Sequence, residues 1–454
     1  MTIIRRLFIL SWFLILLAGC APAPSNSNTT VSTQPSPSPT ASPSPTTTTD
    51  TASVQVTLPL LDALLTDEKF VGRVKQNLKL SDQQVDELKR VASGDVARLR
   101  EANAEDLDGN GTDAPKRAEE QLRSVLGEQK ARDLTKLANE YWSKGDTSEG
   151  SNDTVQMLKG PNAVPSDTRV VVNIPAFRMD LFRDGSLVKS YKVGIGYPEF
   201  PLPLGLRKAQ QIIFNPTWTP PDSPWVAKMK NVAPGEKVEA GDKDNPLGPI
   251  KIPIGLPSLI HGGKSPAKIG KFASHGCVGL TNAQIKDFAV QLAQASNTQD
   301  VSSKIDSYLE DKEKTQTVKL NQTVPVELRY ETIVLEDGKL HIYKDVYGQD
   351  TNTEENLRRV LEANGAKFED LSEQQRTEIL NALNTMSANP TASASPSPNA
   401  SPEKKTVAKK KPAKAQNEIV IDLGTLAQKG YPAPVNLDTG SGKPTSQPAK
   451  RATD

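Results

Sequence analysis

The spacing of hydrophobic residues changes near Thr168, and this change constrains the fold more than any other feature of the chain. Upstream, over residues 56–142, apolar residues recur at helical spacing, and Ser81-x-x-Gln84 has the form of a capping box at a helix start. Downstream, apolar and polar residues alternate, and Asp184-Gly185 separates two such runs as a hairpin turn does. A small α-helical N-terminal domain is therefore predicted to precede a mainly-β (α+β) domain.

Within the β-rich part, alternating runs predict strands, and the segment 282–292 predicts a helix packed on the sheet. The strands are predicted at 170–172, 177–181, 188–193, 211–214, 250–254, 324–335 and 340–343. A further short strand is predicted at 418–423, without a functional account.

Two segments have a composition that does not support a packed core. Residues 21–55 are almost entirely Pro, Ser, Thr and Ala, and a second low-complexity stretch follows residue 388. With hydrophobic residues at only 36% of the chain, part of it must be linker. The predicted division is a signal peptide at 1–20, a disordered tether at 21–55, a helical domain at 56–150, a catalytic domain at 165–348, a helical segment at 353–387 and a mostly disordered region at 388–454.

The N-terminus predicts export and lipid anchoring. Two arginines precede an apolar run over residues 7–17 that is too short for a stable membrane span but typical of a cleaved signal peptide. The run ends in Leu-Ala-Gly-Cys20, which resembles the lipobox of bacterial lipoproteins, although an ordinary signal peptide with a coincidental Cys is the alternative. Because residue 21 is Ala and not Asp, the resemblance favours, in a cell with two membranes, the outer membrane facing the periplasm.

Charge and metal-like motifs exclude several classes of function. Lys plus Arg (55) and Asp plus Glu (54) nearly cancel, so no nucleic-acid partner is predicted. Asp106-x-Asp108-x-Asn110-Gly111 looks like half of a calcium loop, but its twelfth position is Arg117, where a bidentate Glu is needed. We therefore predict a polar turn there and no calcium site.

The candidate site lies between His261 and Cys277, a span of 17 residues that also holds His275, in a chain with only three His. A thiol becomes a good nucleophile when an imidazole within hydrogen-bond reach removes its proton. Gly276 can adopt backbone angles closed to other residues, which would direct its amide and that of Cys277 at one spot as an oxyanion hole. Since Cys277 is the only Cys outside the export signal, it is an unpaired thiol in an oxidising compartment, which favours a reactive role.

Two other interpretations of these residues remain open. Cys277 would serve equally as a small buried hydrophobic residue, with His261 as a hydrogen-bonded core histidine. A zinc site is the second, but it needs three or four ligands, and the usual paired Cys spacing is missing. Acyl transfer needs no metal or organic cofactor, because a thiol, an imidazole and backbone amides suffice.

The same residues carry a family resemblance. The pattern His261-Gly, a spacer, then Ser274-His-Gly-Cys277 resembles the signature of the L,D-transpeptidase family, also called YkuD-type catalytic domains. The resemblance extends upstream to the segments 215–221 and 244–249 and downstream to strands ending near Tyr347.

The resemblance implies an enzyme, a cysteine-dependent acyltransferase of peptidoglycan biosynthesis. Cys277 would attack the carbonyl joining the third and fourth residues of a tetrapeptide stem, releasing D-Ala, and an amine of a second stem would resolve the thioester as a 3→3 cross-link. It also implies a site made of Cys277 (nucleophile), His261 (general base and acid), His275 (orientation or oxyanion support), Gly276 (backbone oxyanion hole) and Ser274 (shape of the turn).

One departure from the family pattern concerns the acceptor. Two residues after the nucleophile the family usually has Arg or Asn, and this chain has Gly279. The alternatives are therefore an L,D-carboxypeptidase, in which water resolves the thioester, an enzyme that attaches an envelope lipoprotein to the wall, and a non-catalytic wall-binding protein. Stem peptides and the membrane are the expected partners, and the helical domain is a candidate surface for other envelope proteins.

Overall fold

The computed structural model describes residues 56–101, 113–144, 156–220, 226, 229–255, 258–388, 417–424 and 429–441. The predicted signal peptide, lipid-anchor Cys20, tether and calcium-like turn all lie outside these residues. Within them, no helix is both long and apolar enough to cross a bilayer.

The N-terminal lobe consists of five helices packed on their apolar faces. They are α1 (Leu58–Leu65), α2 (Glu68–Leu78), α3 (Asp82–Glu101), α4 (Asp113–Leu126) and α5 (Glu128–Lys144). The capping box at the start of α3 is confirmed, since Ser81 N donates to Gln84 Oε1 at 3.1 Å and Gln84 N donates to Ser81 Oγ at 3.2 Å. Leu88 and Leu134, which belong to the apolar residues at helical spacing, are fully buried.

An eight-stranded sheet follows, with strand order β3-β2-β1-β10-β5-β6-β7-β9. Its strands are β1 (Arg169–Asn173), β2 (Arg178–Arg183), β3 (Ser186–Lys192), β5 (Gly205–Phe214), β6 (Ile250–Pro253), β7 (Leu259–His261), β9 (Val278–Gly279) and β10 (Gln316–Arg329). A separate pair consists of β4 (Ile195–Gly196) and β8 (Phe272–Ser274). The fold class predicted from the sequence, helices followed by a mainly-β domain, is confirmed.

Helix α6 (Asn282–Ala295) packs on this sheet directly after β9, and α7 (Val301–Glu310) follows it. A capping box formed by Thr281 and Gln284 begins α6. Ile285, Phe288 and Leu292, at helical spacing, are fully buried in the same core as the sheet. The helix therefore buries its apolar face against the sheet, over β2, β6 and β10.

A smaller lobe has a hydrophobic core of its own. It contains β11 (Ile333–Glu336), β12 (Lys339–Tyr343), α8 (Glu354–Ala363), α9 (Glu373–Met386) and β13 (Glu418–Asp422). The prediction of one strand over 324–335 is wrong, because the chain leaves the large sheet after Arg329 and enters a three-stranded sheet at Ile333. Two of the strands placed within 165–348 thus share a core with the helices of 353–387.

The C-terminal residues that the structure describes are paired with both lobes. β13 pairs with β12, and Ser190 N on β3 donates to Val435 O at 2.9 Å, as does Lys192 N to Asp438 O. The strand predicted at 418–423 is confirmed as β13, but the expectation of a mostly disordered region does not hold for residues 429–441. Residues 429–441 have few apolar side chains, so their periodic signal is weak, and they are ordered by edge pairing with strands distant in sequence.

Candidate active site

Two short parallel strands bring the predicted catalytic residues together. β7 pairs with β9 so that Ile260 faces Val278 and His261 faces Gly279. One residue earlier in this register, Cys277 lies beside Leu259, whose backbone amide donates to the thiol. Because side chains return to the same face every two residues, Cys277 and His261 occupy diagonal positions on one face of the sheet.

A tight turn fixes the backbone of Cys277. Ser274 Oγ donates to the carbonyl oxygen of Cys277 and accepts from its amide, at 2.5 and 3.1 Å. Gly276 has a φ of +94°, a conformation that L side chains rarely adopt, which explains the glycine before the Cys. The Cys277 amide is thus already engaged by Ser274, so an oxyanion hole using both predicted amides would require Ser274 to release it.

His275 lies on the outer side of this turn and packs against a loop. Its ring meets Phe200 edge to face, with centroids 4.8 Å apart, and lies 5.5 Å from the ring of Tyr197. Both aromatic residues belong to the segment that joins β4 to β5. The structure therefore places His275 against a neighbouring loop through its ring, an aromatic contact that its sequence position did not predict.

His261 is buried, with 3% of its surface exposed. Burial lowers its pKa from 6.5 to about 3, and the positive charge of Lys264 acts in the same direction. The carbonyls of Gly262 and Leu247 oppose this shift, but no group in the described part of the chain meets Nδ1 at hydrogen-bond geometry. The imidazole is therefore neutral at neutral pH and retains the capacity to accept a proton.

Cys277 is half-buried and not in a disulfide. Burial raises the pKa of its thiol, and the Leu259 amide and the charge of Lys264 partly oppose that shift. The resting group is consequently a thiol, which needs a base to become a nucleophile.

Two lysines near the site were not singled out by sequence reasoning. Lys251 lies directly opposite His261 across β6 and β7, and burial lowers its pKa. Lys264 follows β7 and lies over Gly279. A lysine in a loop is ordinarily a solvated surface residue, so only the unusual glycine two residues after Cys277 could have pointed to this region.

The residues described above lie in a segment of the chain that is similar to known proteins. Residues 167–316 match the family model of the YkuD L,D-transpeptidase catalytic domain. The probable L,D-transpeptidase YbiS of Escherichia coli (strain K12) is 34% identical over 124 residues, so the matched part spans 26% of this chain and 39% of that relative.

Solved structures of L,D-transpeptidases match at lower identity. The catalytic domain from E. faecium is 17% identical, covering 37% of this chain and 99% of that chain, with a TM-score of 0.24. The enzyme from Mycobacterium smegmatis is 16% identical, covering 36% and 58%, with a TM-score of 0.22. On the family match, residues 167–316 of this chain are a YkuD-type L,D-transpeptidase catalytic domain.

Proposed function

We propose that this protein is a peptidoglycan L,D-transpeptidase that forms 3→3 cross-links through a thioester on Cys277. The observation that carries the proposal is the β7–β9 register, which sets the Cys277 thiol and the buried, neutral His261 on one face of the sheet. A protonated thiol beside a neutral imidazole is the pair needed for base-assisted attack on a carbonyl.

In the first step, His261 takes the thiol proton and the sulfur attacks the carbonyl that joins the third and fourth residues of a tetrapeptide stem. A tetrahedral oxyanion forms, and the C–N bond to D-Ala then breaks. His261 returns the proton to the leaving nitrogen, so D-Ala leaves with an uncharged amino group. The tripeptide stem remains on Cys277 as a thioester.

In the second step, an amine of another stem attacks the thioester carbonyl. His261 accepts the amine proton and returns it to the sulfur as the C–S bond breaks. The products are an amide cross-link and the free thiol, so the enzyme is unchanged. Attack by water instead would give a tripeptide stem, which is the carboxypeptidase outcome.

The remaining predicted residues support these steps. Ser274 holds the turn through its two hydrogen bonds to Cys277. The Gly276 amide is our candidate donor to the oxyanion. We assign His275 to the orientation of the site through its contact with Phe200. Cysteine dependence follows from this proposal and from the single thiol of residues 21–454.

We further propose that the enzyme acts in the cell envelope. A lipid on Cys20, with residues 21–55 as a tether, would hold the domains on the outer membrane within reach of the wall. Stem peptides are then the substrates, and the helical lobe is available to other envelope proteins.

The test is mass spectrometry of purified tetrapeptide muropeptides after incubation with the protein, beside Cys277→Ala. Dimers that have lost D-Ala and require Cys277 would establish the transpeptidase. Tripeptide monomers alone would replace it with the carboxypeptidase. No product, together with no carbapenem adduct on Cys277, would leave only the wall-binding protein.

A further inference from the structure

The space beside Gly279 is filled by a side chain from another segment. A Cβ atom built on Gly279 would lie 2.8 Å from Cγ, 2.9 Å from Cε and 3.3 Å from Cδ of Lys264. The aliphatic chain of Lys264 therefore crosses the position where the side chain of residue 279 would begin. Gly279 does not have a positive φ, so its backbone conformation is open to residues other than glycine.

A hydrogen bond to the residue after β9 fixes the backbone of Lys264 beside the site. Its amide donates to Leu280 O at 3.0 Å, and the Leu280 amide donates to His261 O at 2.9 Å. Lys264 is half-buried, and its stem lies against Gly279 of β9. The lysine is thus tied to the strands of both His261 and Cys277.

Its charge acts on both proposed catalytic groups. Lys264 lowers the pKa of the Cys277 thiol and that of His261, which favours the thiolate and the neutral imidazole. Lys251 also faces this pair, from β6, and its charge acts on His261 in the same direction. Residues 264–280 contain three lysines and no acidic residue, so no carboxylate of that segment cancels the field.

We infer that Lys264 is a positioning residue of the transfer reaction: it covers the side-chain-free position 279 and stabilises the thiolate of Cys277. This inference rests on the proposed role of Cys277 as nucleophile. A cation from the segment after β7 would thereby replace a side chain that β9 does not supply, and Gly279 is the residue that makes room for it.

The test is the pH dependence of Cys277 alkylation by iodoacetamide, followed by peptide mapping so that Cys277 and Cys20 are measured separately. This readout requires no stem peptide, so it can fail or succeed independently of the proposed transpeptidase activity. Lys264→Met keeps the aliphatic stem but removes the charge, and Lys264→Arg keeps both. Lys271→Met, an exposed lysine of the same segment, is the matched control.

We expect Lys264→Met to raise the alkylation midpoint by about half to one pH unit, with roughly three- to tenfold slower alkylation below it. Lys264→Arg and Lys271→Met should keep the wild-type midpoint. The double variant Lys264→Ala/Gly279→Arg should recover most of the shift, since the charge then comes from β9. An unchanged midpoint in Lys264→Met, or an equal shift in Lys271→Met, would overturn the inference.

Discussion

Burial of neutral His261 predicts that acid destabilises the folded protein through this one group. The pKa falls from 6.5 to about 3, so between these values the unfolded chain binds a proton that the folded chain does not. Stability therefore rises with pH in this window and is lost as the pH falls from about 6.5 towards 3. One pKa unit corresponds to ~1.4 kcal/mol, so at pH 4 the loss from His261 is about 3 kcal/mol.

The assay compares wild type with His261→Gln, which has a side chain of similar length that does not titrate here. Urea titrations at pH 7, 6, 5 and 4 give the free energy of unfolding of each protein, and the difference between them cancels the titration of all other groups. At pH 7 the variant should be less stable, because it alters a packed site, and this deficit should shrink by about 3 kcal/mol at pH 4. A difference that stays constant with pH would refute the reasoning.

Three further substitutions each remove the hydrogen bonds of one hydroxyl group. Ser274→Ala removes both hydrogen bonds to Cys277 and should lower the unfolding free energy in urea titrations by about 2 kcal/mol. It should also slow transfer roughly 10- to 100-fold in the muropeptide assay, and full activity would contradict the role of the turn. Thr57→Val removes the 2.7 Å hydrogen bond to Glu199 O and the helix cap on the Leu60 amide, and should lower the unfolding free energy by about 1 to 2 kcal/mol, whereas no change would mean that neither contact contributes. Tyr347→Phe removes a hydroxyl that accepts a hydrogen bond from Leu202 N and donates one to Gly196 O, in the loop between β4 and β5. The unfolding free energy should fall by about 1 to 2 kcal/mol, and unchanged urea midpoints would contradict this expectation.

The sequence predicted those elements whose periodicity is long enough to detect. Helix α6 was expected from residue 282, and its first residue is Asn282, because a capping box precedes an apolar helical stripe. In contrast, β7, β8 and β9 have two or three residues each, too few for any periodic signal. These are the strands that form the site, so its geometry depends on pairing between residues distant in sequence.

The candidate residues could be identified from their chemistry and from the family motif. The contacts around them could not be predicted from the sequence. Nothing in the sequence indicates that Ser274 engages the Cys277 amide, that Phe200 packs on His275, or that Lys264 lies over Gly279. The second and third contacts join segments whose approach is decided by the tertiary fold, whereas the first lies within one short turn that has no periodic pattern. Strand β5 was also predicted too short, because Arg207 and Lys208 interrupt its apolar pattern, although Arg207 is buried.

The most direct test of the central claim is detection of the thioester itself. The protein is incubated with a tetrapeptide donor in the absence of an acceptor amine, quenched in acid, and mapped by mass spectrometry. The proposal predicts a tripeptide-stem adduct on the peptide that contains Cys277, sensitive to hydroxylamine and absent from Cys277→Ala. D-Ala release without any adduct on Cys277, or release that persists in Cys277→Ala, would contradict it.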